Sequence, residues 1–190
     1  MLRFAAPTRE RSRRPAQTTG PESIEPFLEW LLQRSGLEAG AYRPRALHRR
    51  LAACLRHCRV PTPEAARTLL EAKPDSMPAA LNSVLIGVSA FFRDPKIFQF
   101  LREVVLPELL RTQGNVRIYS AGASEGQELI SAALLLAESG ALARSELLGV
   151  DCRRDAIEHA RAARFAPDAL TGIDATLRGR YFRPAGGKWV

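Results

Sequence analysis

The stretch "YSAGASEGQELISAALLLAE" (119–138) decides the fold. A strand-like run ends at Ser120, a loop containing Gly122 and Gly126 follows, and a long apolar segment begins. Glycines between a strand and a helix let a ligand approach the backbone, and the helix's first N–H groups face an anionic group. The glycines stand four apart with no third, so this is not the dinucleotide fingerprint. No Gly-Lys-Ser/Thr follows, so it is not a P-loop.

Outward from the loop, "VRIYS" (116–120) and "ELLGV" (146–150) read as short strands, with Asp151 at the end of the second. Helices are expected over about 126–139, stopped by Gly140, and over about 154–164. Strand–loop–helix–strand–helix opens a parallel α/β sheet. The first helix is apolar all round, through Ile130, Ala133, Leu134 and Ala137 on one side and Leu129, Ala132 and Leu136 on the other. It is therefore expected to lie between the sheet and a helical domain. "KWV" at the end is a candidate further strand. A doubly wound sheet carries about five or six strands, so the fold reads as an incomplete Rossmann-like α/β domain behind a small helical one.

Residues 1–22, with Arg3, Arg9, Arg11, Arg13 and Arg14 and no apolar period, read as a disordered basic tail. Residues 23–87 read as the helical domain and 88–190 as the partial α/β domain. In the former, Phe27, Leu28, Leu31 and Leu32 recur at helical spacing, and a helix from about Pro44 to Arg59 carries Leu47, Leu51, Cys54, Leu55 and Cys58 on its apolar side. Arg45, Arg49, Arg50, Arg56 and Arg59 occupy much of the rest. Thr62-Pro63 and Asp94-Pro95 are cap-plus-proline helix starts. The helix after Asp94 is expected to bury Ile97, Phe98, Leu101, Val105 and Leu109, with a kink near Pro107.

The net charge of +8 favours an acidic partner. No Gly-aromatic RNA motif accompanies the arginines, so specific nucleic-acid binding is not expected. No apolar run reaches the roughly 18–20 residues of a membrane span, so no membrane insertion is expected. Three cysteines without a secretory leader imply free thiols and a cytoplasmic location. "CLRHC" (54–58) lacks a second ligand pair for zinc, and core packing of its cysteines is expected instead.

Ligands of such sheets sit beyond the carboxyl ends of the strands. A glycine loop at one strand end and a carboxylate at the next suit a nucleoside, the acid accepting from ribose hydroxyls. S-adenosylmethionine carries no phosphate and suits this looser loop, with Glu128 and Asp151 as candidate acids. "VSAFFRDPKIFQFLREVVLPELL" (88–110), the loop segment, and "LLGVDCRRDAIEHARAARF" (147–165) come in the order seen in a known family. Over about residues 24–183 the chain resembles the CheR-type chemotaxis-receptor glutamate O-methyltransferases. Their signatures read roughly T-x-F-F-R-D, then G-x-S-x-G-E-E-P-Y-S, then a strand ending T-D-I-D.

The resemblance implies an S-adenosylmethionine-dependent transfer of methyl groups to glutamates on the cytoplasmic helices of chemoreceptors. Ser89 stands at a cofactor-contacting threonine and Arg93 at the essential arginine. Gly122 and Gly126 shape the cofactor loop, Gln127 and Glu128 fill the Glu-Glu pair, and Asp151 is the ribose acid. The five helix arginines match the receptor-docking surface. Gln127 and Gly87 depart from a family glutamate and a frequent asparagine, and the chain reads as a truncated member ending at Val190. Loss of turnover is one outcome of those departures. A non-catalytic adaptor docking on receptors or another acidic protein through its basic helical domain is the alternative.

Overall fold

Capping sets the first half of the chain. The computed structural model describes residues 23–85 and 87–190; the tail expected over 1–22 lies outside them. Helix α1 (Pro26–Arg34) starts where the Glu25 carboxylate accepts from Leu28 N–H at 3.1 Å. Helix α2 (Pro44–Cys58) ends at Arg59, which takes a left-handed φ of 57°. Helix α3 (Pro63–Ala72) is capped as expected, Thr62 Oγ1 accepting from Ala65 N–H at 3.2 Å. Helix α4 (Met77–Val84) completes the set. The four share one apolar cluster built on Leu28, Leu31, Leu32, Leu47, Leu70 and Val84. Cys54 lies within it, its thiol donating to the Ala80 carbonyl at 3.7 Å, and burial pushes that thiol up to about 11.

The next helix differs from expectation in three respects. It runs as α5 (Pro95–Phe100), a wide π turn over Leu101–Val105, and α6 (Leu106–Gln113). Pro107 has no N–H and its ring crowds the carbonyl four residues back, and the widened turn just before it takes up that misfit. A π turn carries an extra residue, so the three-four spacing does not stay in phase. Phe98 and Leu106 face inward, whereas Ile97, expected inside, is 60% exposed. Asp94 is the residue before the helix, but its carbonyl rather than its side chain receives the first N–H, from Ile97 at 2.8 Å.

Strands β1 (Arg117–Ala121) and β2 (Glu146–Val150) pair in parallel, from Arg117 opposite Glu146 to Ala121 opposite Val150. Helix α7 (Gln127–Glu138) makes the crossover. Among the described residues, none of its apolar side chains belongs to the α1–α4 cluster. Leu135 and Leu136 pack with Phe98 and Leu106, and Leu134 with Phe91, Phe165 and Leu170. The all-round apolar pattern was read correctly as burial, but its cover comes from the segments flanking the sheet. The opposite sheet face leaves Tyr119, Leu148 and Val150 exposed.

Beyond α8 (Arg154–Ala162) and α9 (Ala175–Tyr181), the expected strand at "KWV" forms a separate hairpin. Strand β3 (Pro184–Ala185) pairs antiparallel with β4 (Lys188–Trp189). Gly186 and Gly187, with φ of 58° and 75°, make the two-residue turn such hairpins favour. No helix among the described residues is long and apolar enough to cross a membrane.

Candidate functional site

The loop between β1 and α7 is tied to the end of β2. Gly122 and Ala123 N–H both donate to the Val150 carbonyl, at 2.9 and 2.8 Å. Gly122 has φ +77°, and a side chain there would meet nothing within 4 Å, so the backbone faces open space. Ser124 follows at φ 51°, a conformation rare outside glycine and frequent where a loop is held for function. Its N–H donates to Asp151 Oδ2 at 2.8 Å. Asp151 Oδ1 accepts from Arg153 N–H at 2.9 Å and pairs with Arg153 Nε at 3.4 Å. Arg153 Nη2 donates in turn to Ser124 Oγ at 2.9 Å. The Asp151 and Arg153 side chains are 9% and 12% exposed.

This cluster forms one wall of a cavity of about 270 Å³, with Tyr42, Val84 and Leu85 opposite and Gly122 at its edge. Burial raises the Tyr42 hydroxyl above its ordinary pKa, helped by the neighbouring acidic groups Cys152 and Asp151. The Cys152 thiol is raised by burial and by Asp151, so it stays protonated at neutral pH.

A second cavity, of about 470 Å³, is lined by Ser89, Phe92, Arg93, Gln127, Asp168 and Gly172, among others. Gln127 is buried and its Nε2 donates to Glu125 Oε2 at 3.4 Å. Its Oε1 is buried with no hydrogen-bond partner, a costly state that calls for a donor. Arg93 is exposed and donates from Nη1 to the Val88 carbonyl at 3.1 Å. Phe92 has φ 49°, an outlier for a bulky residue. It is held by its N–H bond to Ser131 Oγ at 3.0 Å, and the Ser131 hydroxyl donates to the Gln127 carbonyl at 2.7 Å.

The residues expected at the site are thus divided. Ser89, Arg93 and Gln127 come together in one cavity, and Gly122 and Asp151 in the other. Gly126, at φ +87°, starts α7 and packs toward Ala160. Glu128 lines neither cavity; it turns to the sheet and accepts from the Ser120 hydroxyl at 2.7 Å. Arg45, Arg49, Arg56 and Arg59 are exposed and Arg50 half-buried, and none of the five makes an ion pair among the described residues.

Tyr42, Ser124, Ser131 and Arg153 went unread in the sequence. Ser131 had a signal, as a polar residue inside an otherwise apolar helix. Arg153 had one too, standing where the T-D-I-D signature has its second acid.

Chemically, the pair of cavities suits a ligand with a cationic amino group at one end and a hydroxyl-bearing ring at the other. Gln127 Oε1 offers the acceptor for the first. Asp151 offers a carboxylate for the second, beside the apolar Val84 and Leu85 and the Tyr42 ring. These groups fit the amino and ribose parts of S-adenosylmethionine.

Residues 87–190, more than half of the chain, match the family described as CheR methyltransferase, SAM binding domain. Among individual proteins, the chain is similar to Cher3 of Pseudomonas putida, at 29% identity over 72% of this chain and 50% of that one. It is similar to the chemotaxis protein methyltransferase of Salmonella typhimurium, at 28% identity over 80% of this chain and 53% of that one. The chemotaxis protein methyltransferase 2 of Pseudomonas aeruginosa is 26% identical over 85% of this chain and 58% of its own. The chain spans about half the length of these curated relatives. The matched domain indicates S-adenosylmethionine as the cofactor. The chain belongs to the CheR methyltransferase family, by way of that family's S-adenosylmethionine-binding domain.

Proposed function

We propose that this chain holds S-adenosylmethionine for methyl transfer to glutamate side chains on the cytoplasmic helices of chemoreceptors. In this reading β1, α7 and β2 are the first βαβ unit of a Rossmann-like fold, and residues 23–87 and 88–190 act as two domains. The separate apolar cluster of α1–α4 supports that division. The single observation that carries the cofactor assignment at residue level is the buried Gln127 Oε1, unpartnered among the described residues.

Asp151 would take the ribose hydroxyls, Gln127 Oε1 the ammonium group, and Tyr42, Val84 and Leu85 the flat apolar base. When bound, S-adenosylmethionine supplies a methyl group already activated on a sulfonium. An acceptor glutamate, with an ordinary pKa of about 4.3, is already an anion at neutral pH. The protein's own residues therefore need supply no base; their task is alignment. Arg93, exposed at the rim of the second cavity, would orient a carboxylate through paired N–H bonds.

Isothermal titration with S-adenosylhomocysteine tests this reading. The unaltered chain is expected to bind. Gln127→Leu, which removes the acceptor at similar size, is expected to weaken binding about 10-fold, because a hydrogen bond to a charged group is worth roughly 1.5–3 kcal/mol. No heat at millimolar ligand in either protein would remove the assignment.

We also propose that α2 docks the receptor. Arg45, Arg49 and Arg56 stand four and seven residues apart on α2 and so form one exposed stripe, with Arg59 exposed just past its end. The names of the Salmonella and Pseudomonas aeruginosa relatives support a chemotaxis role. Reversing Arg49 and Arg56 to Glu together is expected to abolish capture of a receptor cytoplasmic fragment; undiminished capture would discard the stripe. Capture retained by a chain that fails to bind S-adenosylhomocysteine would identify the adaptor alternative instead.

A further inference from the structure

We infer that Arg153 sets the affinity of the nucleoside end of the site by competing with the ligand for Asp151; this rests on the cofactor assignment above. Both carboxylate oxygens of Asp151 are already engaged. Oδ2 receives the Ser124 N–H, and Oδ1 receives the Arg153 N–H and faces its Nε. Ribose hydroxyls donate to an acid, so they need acceptor positions on these same oxygens. The guanidinium cannot be ignored as a loose surface group. Its side chain is 12% exposed, and Ser124 Oγ holds its far end at 2.9 Å. A pair this sheltered is poorly screened by salt.

A second feature keeps the guanidinium in that seat. Gly87 has no side chain, and a Cβ built on it would overlap Arg153 Nη1, Cζ and Nη2. Arginine at 153 and glycine at 87 are thus a matched pair, the one filling the space the other leaves. Gly87 has no left-handed backbone angle, so alanine is compatible with its backbone and would displace only the flexible end of Arg153. The ligand-competent state is then the fraction of molecules whose guanidinium has swung away. Apparent affinity is the intrinsic affinity scaled by that fraction.

The experiment measures S-adenosylhomocysteine dissociation constants by calorimetry for the unaltered chain, Arg153→Ala and Gly87→Ala. Both variants are expected to bind at least tenfold tighter, one by removing the competitor and the other by denying it its seat. A gain of affinity in both is not produced by mere structural damage. Equal or weaker binding in Gly87→Ala, or in a folded Arg153→Ala, overturns the inference while binding by the unaltered chain leaves the cofactor assignment standing. If Arg153→Ala does not fold, Gly87→Ala alone decides. Binding by the variants but not by the unaltered chain supports the inference most strongly. Absence of binding in all three overturns both it and the assignment beneath it.

Discussion

Asp151→Ala is expected to lose S-adenosylhomocysteine binding by at least about 100-fold, through two charge-assisted hydrogen bonds of roughly 1.5–3 kcal/mol each. The same substitution is expected to cost about 3 kcal/mol of stability. It strands the Arg153 guanidinium, only 12% exposed, without its counter-charge, and breaking a buried pair from one side costs about 3–5 kcal/mol. It also orphans the Ser124 N–H in a backbone conformation that needs support. For a chain of this size the melting temperature should fall roughly 6–12 °C. Two further variants separate the effects. Asp151→Asn keeps an oxygen for Ser124 but no charge, so it should fold better than Asp151→Ala and still bind poorly. Adding Arg153→Ala to Asp151→Ala should recover part of the lost stability and none of the affinity. An unchanged dissociation constant in Asp151→Ala would remove Asp151 from the site.

Phe91→Ala is expected to destabilise the chain by about 3–5 kcal/mol, the usual cost of truncating a core phenylalanine. Phe91 is 3% exposed and meets Phe165 and Phe182 edge to face, with centroids 5.0 and 5.6 Å apart. These rings come from segments distant in sequence, so Phe91 pins residues 88–93 to the carboxyl-terminal part of the chain. Its carbonyl also lies 2.8 Å from where a Cβ on Gly172 would sit, so even Gly172→Ala would push on this segment. Denaturant titration measures the loss. Phe91→Leu should cost less than half as much, because most of the volume stays. A cost for Phe91→Ala below about 1 kcal/mol would show that the cluster is not a clamp.

These two sites differ in how openly the sequence displayed them. Asp151 was legible because a β-rich run ends directly at an acid, and the glycine loop ahead of it breaks a strand-to-helix change of period. The cap at Thr62 and the apolar stripe of α1 are local signals that survive into the structure, whereas the side-chain cap expected at Asp94 does not form. Phe91 was quoted in its motif, but its partners at 165 and 182 are joined to it only by folding. Which of Gln127 and Glu128 lines the second cavity turns on a rotation of one residue at a helix start, which a pair of adjacent polar residues does not encode. Arg153 does not stand out in the sequence because its destination depends on the empty space at Gly87, far away in sequence. Within α5 it is Phe98 and not Ile97 that faces the core, and the wide turn ahead of Pro107 then breaks the spacing that would carry one face through both helices.

The uncovered face of the parallel pair has a colloidal consequence. Tyr119, Leu148 and Val150 present an apolar surface to solvent, the kind of patch through which copies adhere. The +8 charge of each copy opposes such contact, a repulsion that reaches about 10 Å at 0.1 M salt and only about 3 Å at 1 M. Concentrated salt, often chosen to keep a basic protein in solution, is for this chain the condition that lets the bare sheet faces meet.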